Sequence, residues 1–131
     1  MVKVMQVKTG IDIIEVERIK RAIECHNNRF LYRIFTDNEI AYCNSKNKLR
    51  YEHFAARFAA KEAGLKAVSE LLKNKFELGW KDIEIINHEE GKPKLIIHKK
   101  IDYIDSIDVS MSHIKEYAIA SVVVLSEKDP S

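Results

Sequence analysis

The sequence predicts an α+β domain with helices packed on one face of a mostly antiparallel sheet. Three observations predict it. Helical signals crowd into the part before about residue 72, where two capping-box spacings precede helical segments and an alanine-rich stretch follows. Apolar runs of strand length fill the second half. The stretch from Ser112 to Glu116, between the last two runs, is too short for a parallel crossover of a dozen or more residues, so it favours antiparallel pairing.

Each element follows in order. Met1 to Thr9 alternates and reads as a first strand that Gly10 breaks. Asp12 and Glu15 have capping-box spacing, and Val16, Ile19, Ala22 and Ile23 form the apolar stripe of a helix that fades near His26-Asn27-Asn28. Phe30, Ile34 and Phe35 continue an apolar face into a short helical or irregular segment. Thr36 and Glu39 form a cleaner capping box, and the helix after it ends around Asn44 to Asn47. A third helix is expected from about Tyr51 to Leu72, with a break near Gly64. Its small residues, Ala55 to Ala67, allow close packing on a sheet. Asp82 to Asn87 and Lys94 to His98 make a hairpin around Gly91-Lys92-Pro93, followed by strands at Ile107 to Met111 and Tyr117 to Leu125, the last one central.

One domain is expected over 1–125, with 126–131 as a flexible C-terminal tail. The 131 residues are 46% hydrophobic, which suits a compact globule. The formal charge of +2 does not signal nucleic-acid binding, so any electropositive function must come from a local patch. Arg18, Lys20, Arg21, Arg29 and Arg33 against Glu24 form such a patch, or simply a solvated face. Cys25 and Cys43 lack metal-ligand spacing and do not resemble a disulfide framework, so a reduced, cytoplasmic protein is expected. No run of about 18 apolar residues exists, and no membrane partner is expected.

The residues able to do chemistry start with two carboxylates about fifty positions apart. Asp12 reads as a helix cap, but a cap uses one oxygen and leaves room for metal ligation. Glu62 lies four residues after Phe58 on the third helix, so partial burial is plausible, and a partly buried carboxylate needs a cation. It also stands four residues before Lys66, an ordinary surface pair on its own. Arg57, Lys61 and Lys66 could face phosphate oxygens. His113, beside two serines, could donate to one as well, although a lone histidine is more often structural. Lys92 sits in a turn that could edge a pocket. Two carboxylates among fixed cations suit a hard divalent metal held with a multiply phosphorylated ligand.

Gly10-Ile-Asp12 with Arg18, then Arg57-Phe-Ala-Ala-Lys61-Glu62-Ala with Lys66-Ala67, Gly91-Lys92-Pro93, and Val109-Ser-Met-Ser-His113 before Tyr117-Ala118 resemble the bacterial holo-[acyl-carrier-protein] synthases. These are the short, single-domain branch of the 4′-phosphopantetheinyl transferase superfamily, and the likeness spans about Val7 to Leu125. The resemblance implies the transferase fold and transfer of the 4′-phosphopantetheine arm of coenzyme A to a serine of apo-acyl carrier protein. Adenosine 3′,5′-bisphosphate would be released, in the service of fatty acid biosynthesis. It implies Mg²⁺ on Asp12 and Glu62, and a homotrimer with active sites between subunits. The carrier would dock on basic residues of the first helix, with Arg18, Arg21 and Arg29 as the candidates. Asp12, Glu62, Lys66 and His113 become the catalytic set, and Arg57, Lys61, Lys66, Lys92 and His113 the coenzyme-binding set. Glu62, or a metal-bound water held by Asp12, would take the serine proton.

Two departures from the family pattern stand out. Members often carry a Gly-Thr-Gly-like loop after the third helix. Here 69–75 holds no glycine, so a longer helix is expected, with Lys73 or Lys75 replacing the loop's ligand contacts. The basic face of the first helix is also interrupted between Glu24 and Asn28. Broader-specificity transferases are about twice as long, with two copies of the domain, and no repeat occurs here. A non-catalytic coenzyme A or carrier-binding protein of the same fold is the rival from another class. It has no chemical need for Asp12, Lys61, Glu62 and His113 together.

Overall fold

In the computed structural model, which describes residues 4–26, 28–87 and 91–127, one long helix lies across a three-stranded sheet. The elements are β1 (Met5–Glu15), α1 (Val16–Cys25), α2 (Arg29–Ile34), α3 (Asp37–Asn44), α4 (Arg50–Val68), β2 (Ile83–Ile86), β3 (Lys94–Ile97), β4 (Ile104–His113) and β5 (Tyr117–Glu127). The main sheet runs β1-β5-β4 and a second pairs β2 with β3, both antiparallel. The α+β architecture is the expected one, with β5 central.

The first strand differs from expectation. It does not stop at Gly10 but pairs with β5 from Met5 opposite Glu127 to Glu15 opposite Tyr117. A long partner strand outweighs one glycine. The glycine is needed because α4 crosses here: a Cβ on Gly10 would lie 1.9 Å from the Ala63 carbonyl oxygen. Asp12 is therefore a strand residue and not a helix cap. Helix α1 starts after Glu15 without any side-chain cap, and the Val16 N–H donates instead to Glu116 O in the β4–β5 hairpin at 2.9 Å.

The capping box at Thr36 and Glu39 forms as expected. Helix α4 runs unbroken through Gly64, where a Cβ would stand 3.0 Å from the Leu95 side chain, so this glycine too permits a close approach. The helix ends at Val68 and tightens into a 3₁₀ turn over Ser69–Leu71. Strand β5 continues two residues past the expected end, because the Glu127 N–H donates to Tyr103 O and Ser126 is fully buried. Residues 1–3, 27, 88–90 and 128–131 lie outside the described residues, and with them parts of the expected first strand, first-helix end, turn and tail.

Ala59, Ala60, Ala63 and Ala67 of α4 pack on Val109, Ala120, Val122 and Val124 of the sheet, while Val16, Ile19, Ile23, Phe35 and Phe54 form a second cluster around α1–α3. Among the described residues no helix covers the opposite sheet face. It exposes Val7, Ile11 and Ile13 of β1 beside Ile119 and Val123 of β5.

Candidate active site

The alternation of β1 sends Gly10, Asp12 and Ile14 toward α4 and Ile11 and Ile13 to the other face. On α4, Glu62 and Lys66 are one turn apart on the same row. The contact allowed by Gly10 thus joins Asp12 to that row. Lys66 Nζ donates to Ile11 O at 3.0 Å and pairs with Asp12 Oδ1 at 3.2 Å. Glu62 is half-buried, and burial first, then the Asp12 charge, holds its carboxyl above the usual carboxylate range, with Lys66 offsetting part of the effect. Beside Lys66 opens a cavity of about 520 Å³, walled by Leu65, Leu72 and Leu78 and reached by Lys75. Lys73 lines a different cleft with Glu70 and Glu77, so of the two lysines proposed to replace the glycine loop only Lys75 reaches this cavity.

A second cluster lies at the N-terminal end of α4. Arg57 is buried under the Tyr42 ring, 4.5 Å from its centroid. Its Nη2 donates to Asn87 Oδ1 at 2.5 Å, its Nη1 to His53 Nδ1 at 3.3 Å, and its Nε has no partner. His113, at the end of β4, meets Glu52 through Nδ1 at 2.9 Å and lies edge-on to His53, with ring centroids 4.8 Å apart. Burial and then the Arg57 charge push His53 down to about 4, so it is neutral and accepts from Arg57. Arg57 and Glu62 are five residues apart, about 7.5 Å of rise and 140° of rotation, so they face different surroundings.

The structure therefore brings Asp12, Glu62 and Lys66 together and gathers Arg57 and His113 elsewhere. Two expected coenzyme ligands face neither cluster. Lys61 is fully buried: it pairs with Glu39 Oε1 at 2.6 Å and donates to Ile34 O at 2.8 Å and Trp80 O at 3.1 Å, so its three donors are used within the core. Lys92 pairs with both oxygens of Asp108, at 3.0 and 2.9 Å, and Asp108 points to the outer sheet face. Arg18 and Arg21 are exposed on α1, and Arg29 shares a cleft of about 250 Å³ with His26, Phe30 and Arg33. Sequence reasoning passed over Glu52 and His53, and named Arg33 only within the basic patch. His53 stands one helical turn before Arg57, a signal that was available. The partner of Glu52 is 61 residues away, and no local pattern marks it.

The described residues offer no cluster of three or more metal-ligating side chains. The Asp12–Glu62 pair still fits a hard divalent cation. Two carboxylates feel each other's charge with a lysine on Asp12 beside them, and Mg²⁺ commonly takes one or two carboxylates plus waters and substrate phosphates.

A family-wide profile described as the 4′-phosphopantetheinyl transferase superfamily matches residues 8–122. The chain belongs to that superfamily. Among its relatives, the holo-[acyl-carrier-protein] synthase of Chloroherpeton thalassium is 44% identical over 123 residues, covering 92% of this chain and 99% of the relative. The crystal structure of the Bacillus anthracis holo-(acyl-carrier-protein) synthase in complex with CoA (3′,5′-ADP) shares 40% identity, with a TM-score of 0.77 over 94% of this chain and 99% of that one. The Helicobacter pylori synthase in complex with coenzyme A shares 31% identity and a TM-score of 0.72, over 88% and 98%. The chain is thus an enzyme of the holo-[acyl-carrier-protein] synthase branch, with the transferase fold.

Proposed function

We propose that this enzyme transfers the 4′-phosphopantetheine arm of coenzyme A to a serine hydroxyl of apo-acyl carrier protein. The reaction is Mg²⁺-dependent, releases adenosine 3′,5′-bisphosphate and serves fatty acid biosynthesis in the cytoplasm. The observation that carries the reading is the Asp12–Glu62 carboxylate pair, with Lys66 on Asp12 and lining a cavity.

The serine oxygen attacks the β-phosphorus of the diphosphate, the bond from that phosphorus to the bridging oxygen breaks, and the adenosine bisphosphate departs with the oxygen. Glu62 takes the serine proton on a carboxylate oxygen. Lys66 offsets charge on the phosphate oxygens. Asp12 and Glu62 would hold the Mg²⁺, which when bound neutralises charge on the diphosphate and its leaving oxygen. Arg57, with its unpartnered buried Nε, and His113 suit an anion on the adenosine side of the coenzyme. Arg18, Arg21 and Arg29, joined by Arg33, offer an acidic carrier a complementary surface.

The enzyme is proposed to be a cyclic homotrimer, the number three resting on the family resemblance. The two clusters face different surroundings, and the apolar outer sheet face at Val7, Ile11 and Ile13 is of the kind that subunits cover. A neighbour's Arg57–His113 cluster would then complete the carboxylate site. Mass spectrometry of apo-carrier incubated with coenzyme A and Mg²⁺ tests the reading. A single added phosphopantetheine on the carrier serine is expected, and an unmodified carrier would overturn it.

A further inference from the structure

Glu52 has no part in the reaction as read above, yet among the described residues it is the side chain that hydrogen-bonds His113. The two come from the first turn of α4 and the last residue of β4, and both side chains are well shielded, 16% and 27% exposed. A carboxylate accepts only from a protonated ring nitrogen, so the Glu52 contact places a proton on Nδ1 and leaves Nε2 for another partner. Nε2 has no partner among the described residues. The ring is held from its side by His53, whose own Nδ1 is occupied by Arg57. The charges acting on the neighbouring His53 are Arg57 and Glu52 on α4 and Lys46, which stands over Tyr42.

We infer that Glu52 is a positioning residue for the coenzyme: it holds His113 through Nδ1–H so that Nε2, taking a proton as the anion binds, donates to an anionic oxygen of the ligand. The inference rests on the proposed coenzyme-binding role of His113. An ion pair that merely tied β4 to α4 would affect stability and leave ligand affinity alone. A positioning pair acts on affinity only while His113 is present.

The test is calorimetric titration of the wild type, Glu52→Ala, Glu52→Gln, His113→Ala and the Glu52→Ala/His113→Ala double variant with coenzyme A in Mg²⁺. Glu52→Ala is expected to raise the coenzyme Kd by about five- to twentyfold, and Glu52→Gln, which can still accept from Nδ1, by less. Glu52→Ala should change Kd by less than about twofold on the His113→Ala background. An unchanged Kd in folded Glu52→Ala, or the same loss with and without His113, overturns the inference. A wild type that binds no coenzyme A overturns the functional reading itself.

Discussion

Lys61 and Glu62 are adjacent in sequence and opposite in use. Lys61 turns into the core, where Glu39 and two carbonyls take every proton it can donate. Glu39 also accepts the Thr36 N–H at 2.9 Å and the Ile85 N–H at 2.8 Å, so the network ties α3, β2 and α4 together. Glu62 feels the like charge of Asp12, which Lys66, lining the nearby cavity, offsets in part. A buried charge whose partners are complete holds structure. A half-buried charge facing a like charge is unsatisfied by its own chain and is ready for a cation and a substrate.

The largest effect should come from the unsatisfied side. Asp12→Ala should lower carrier modification by on the order of 10³-fold or more while leaving stability within about 0.5 kcal/mol, read by turnover and by urea unfolding. Near-normal turnover at saturating Mg²⁺ would remove the carboxylate pair from catalysis. On the satisfied side, Lys61→Ala strands Glu39 in the core and should destabilise the fold by about 3–5 kcal/mol, since one partner of a buried pair is lost. A stable Lys61→Ala variant defective only in coenzyme binding would reverse the assignment.

A subtler contrast concerns pH. Because the folded state holds Glu62 above its unfolded pKa, the native protein binds the extra proton, and stability falls as pH rises through that interval. Glu62→Gln removes the penalty. Its Tm should exceed that of the wild type by about 1–3 °C at pH 7, and the gap should close as pH drops below the ordinary carboxylate range. A lower Tm at pH 7 would mean that Glu62 is a structural partner after all. The smallest effect is expected on α1. Charge reversal at Arg18 or Arg21 should raise KM for the carrier severalfold and spare KM for coenzyme A, with the wild-type rate falling as salt is added.

Much of this was legible beforehand, and the failures share a cause. The Thr36–Glu39 box is local chemistry and was read correctly, but the bonds from Glu39 to Ile85 and Lys61 span long separations and leave no local trace. Gly10-Ile-Asp12 was recognisable as a motif. Its glycine was read as a strand breaker because the close passage of Ala63 is a tertiary fact, and that misplaced Asp12 at a helix cap. The row spacing of α4 could have separated Lys61 from Glu62, because 100° of rotation puts neighbours on different faces. Ser126 looked like the start of a tail, and its burial follows from the pairing of β5 with both β1 and β4.

The claim that α4 serves two different sites, one at each cluster, is tested most directly by mixing defects. Asp12→Ala and Arg57→Ala each disable one half-site, so homogeneous preparations of either should modify no carrier. Co-expressed and purified together as mixed oligomers, they should recover about one quarter of wild-type activity, because random assembly pairs an intact carboxylate half with an intact neighbouring arginine half that often. Mixed oligomers as inactive as their parents would contradict a site shared between subunits.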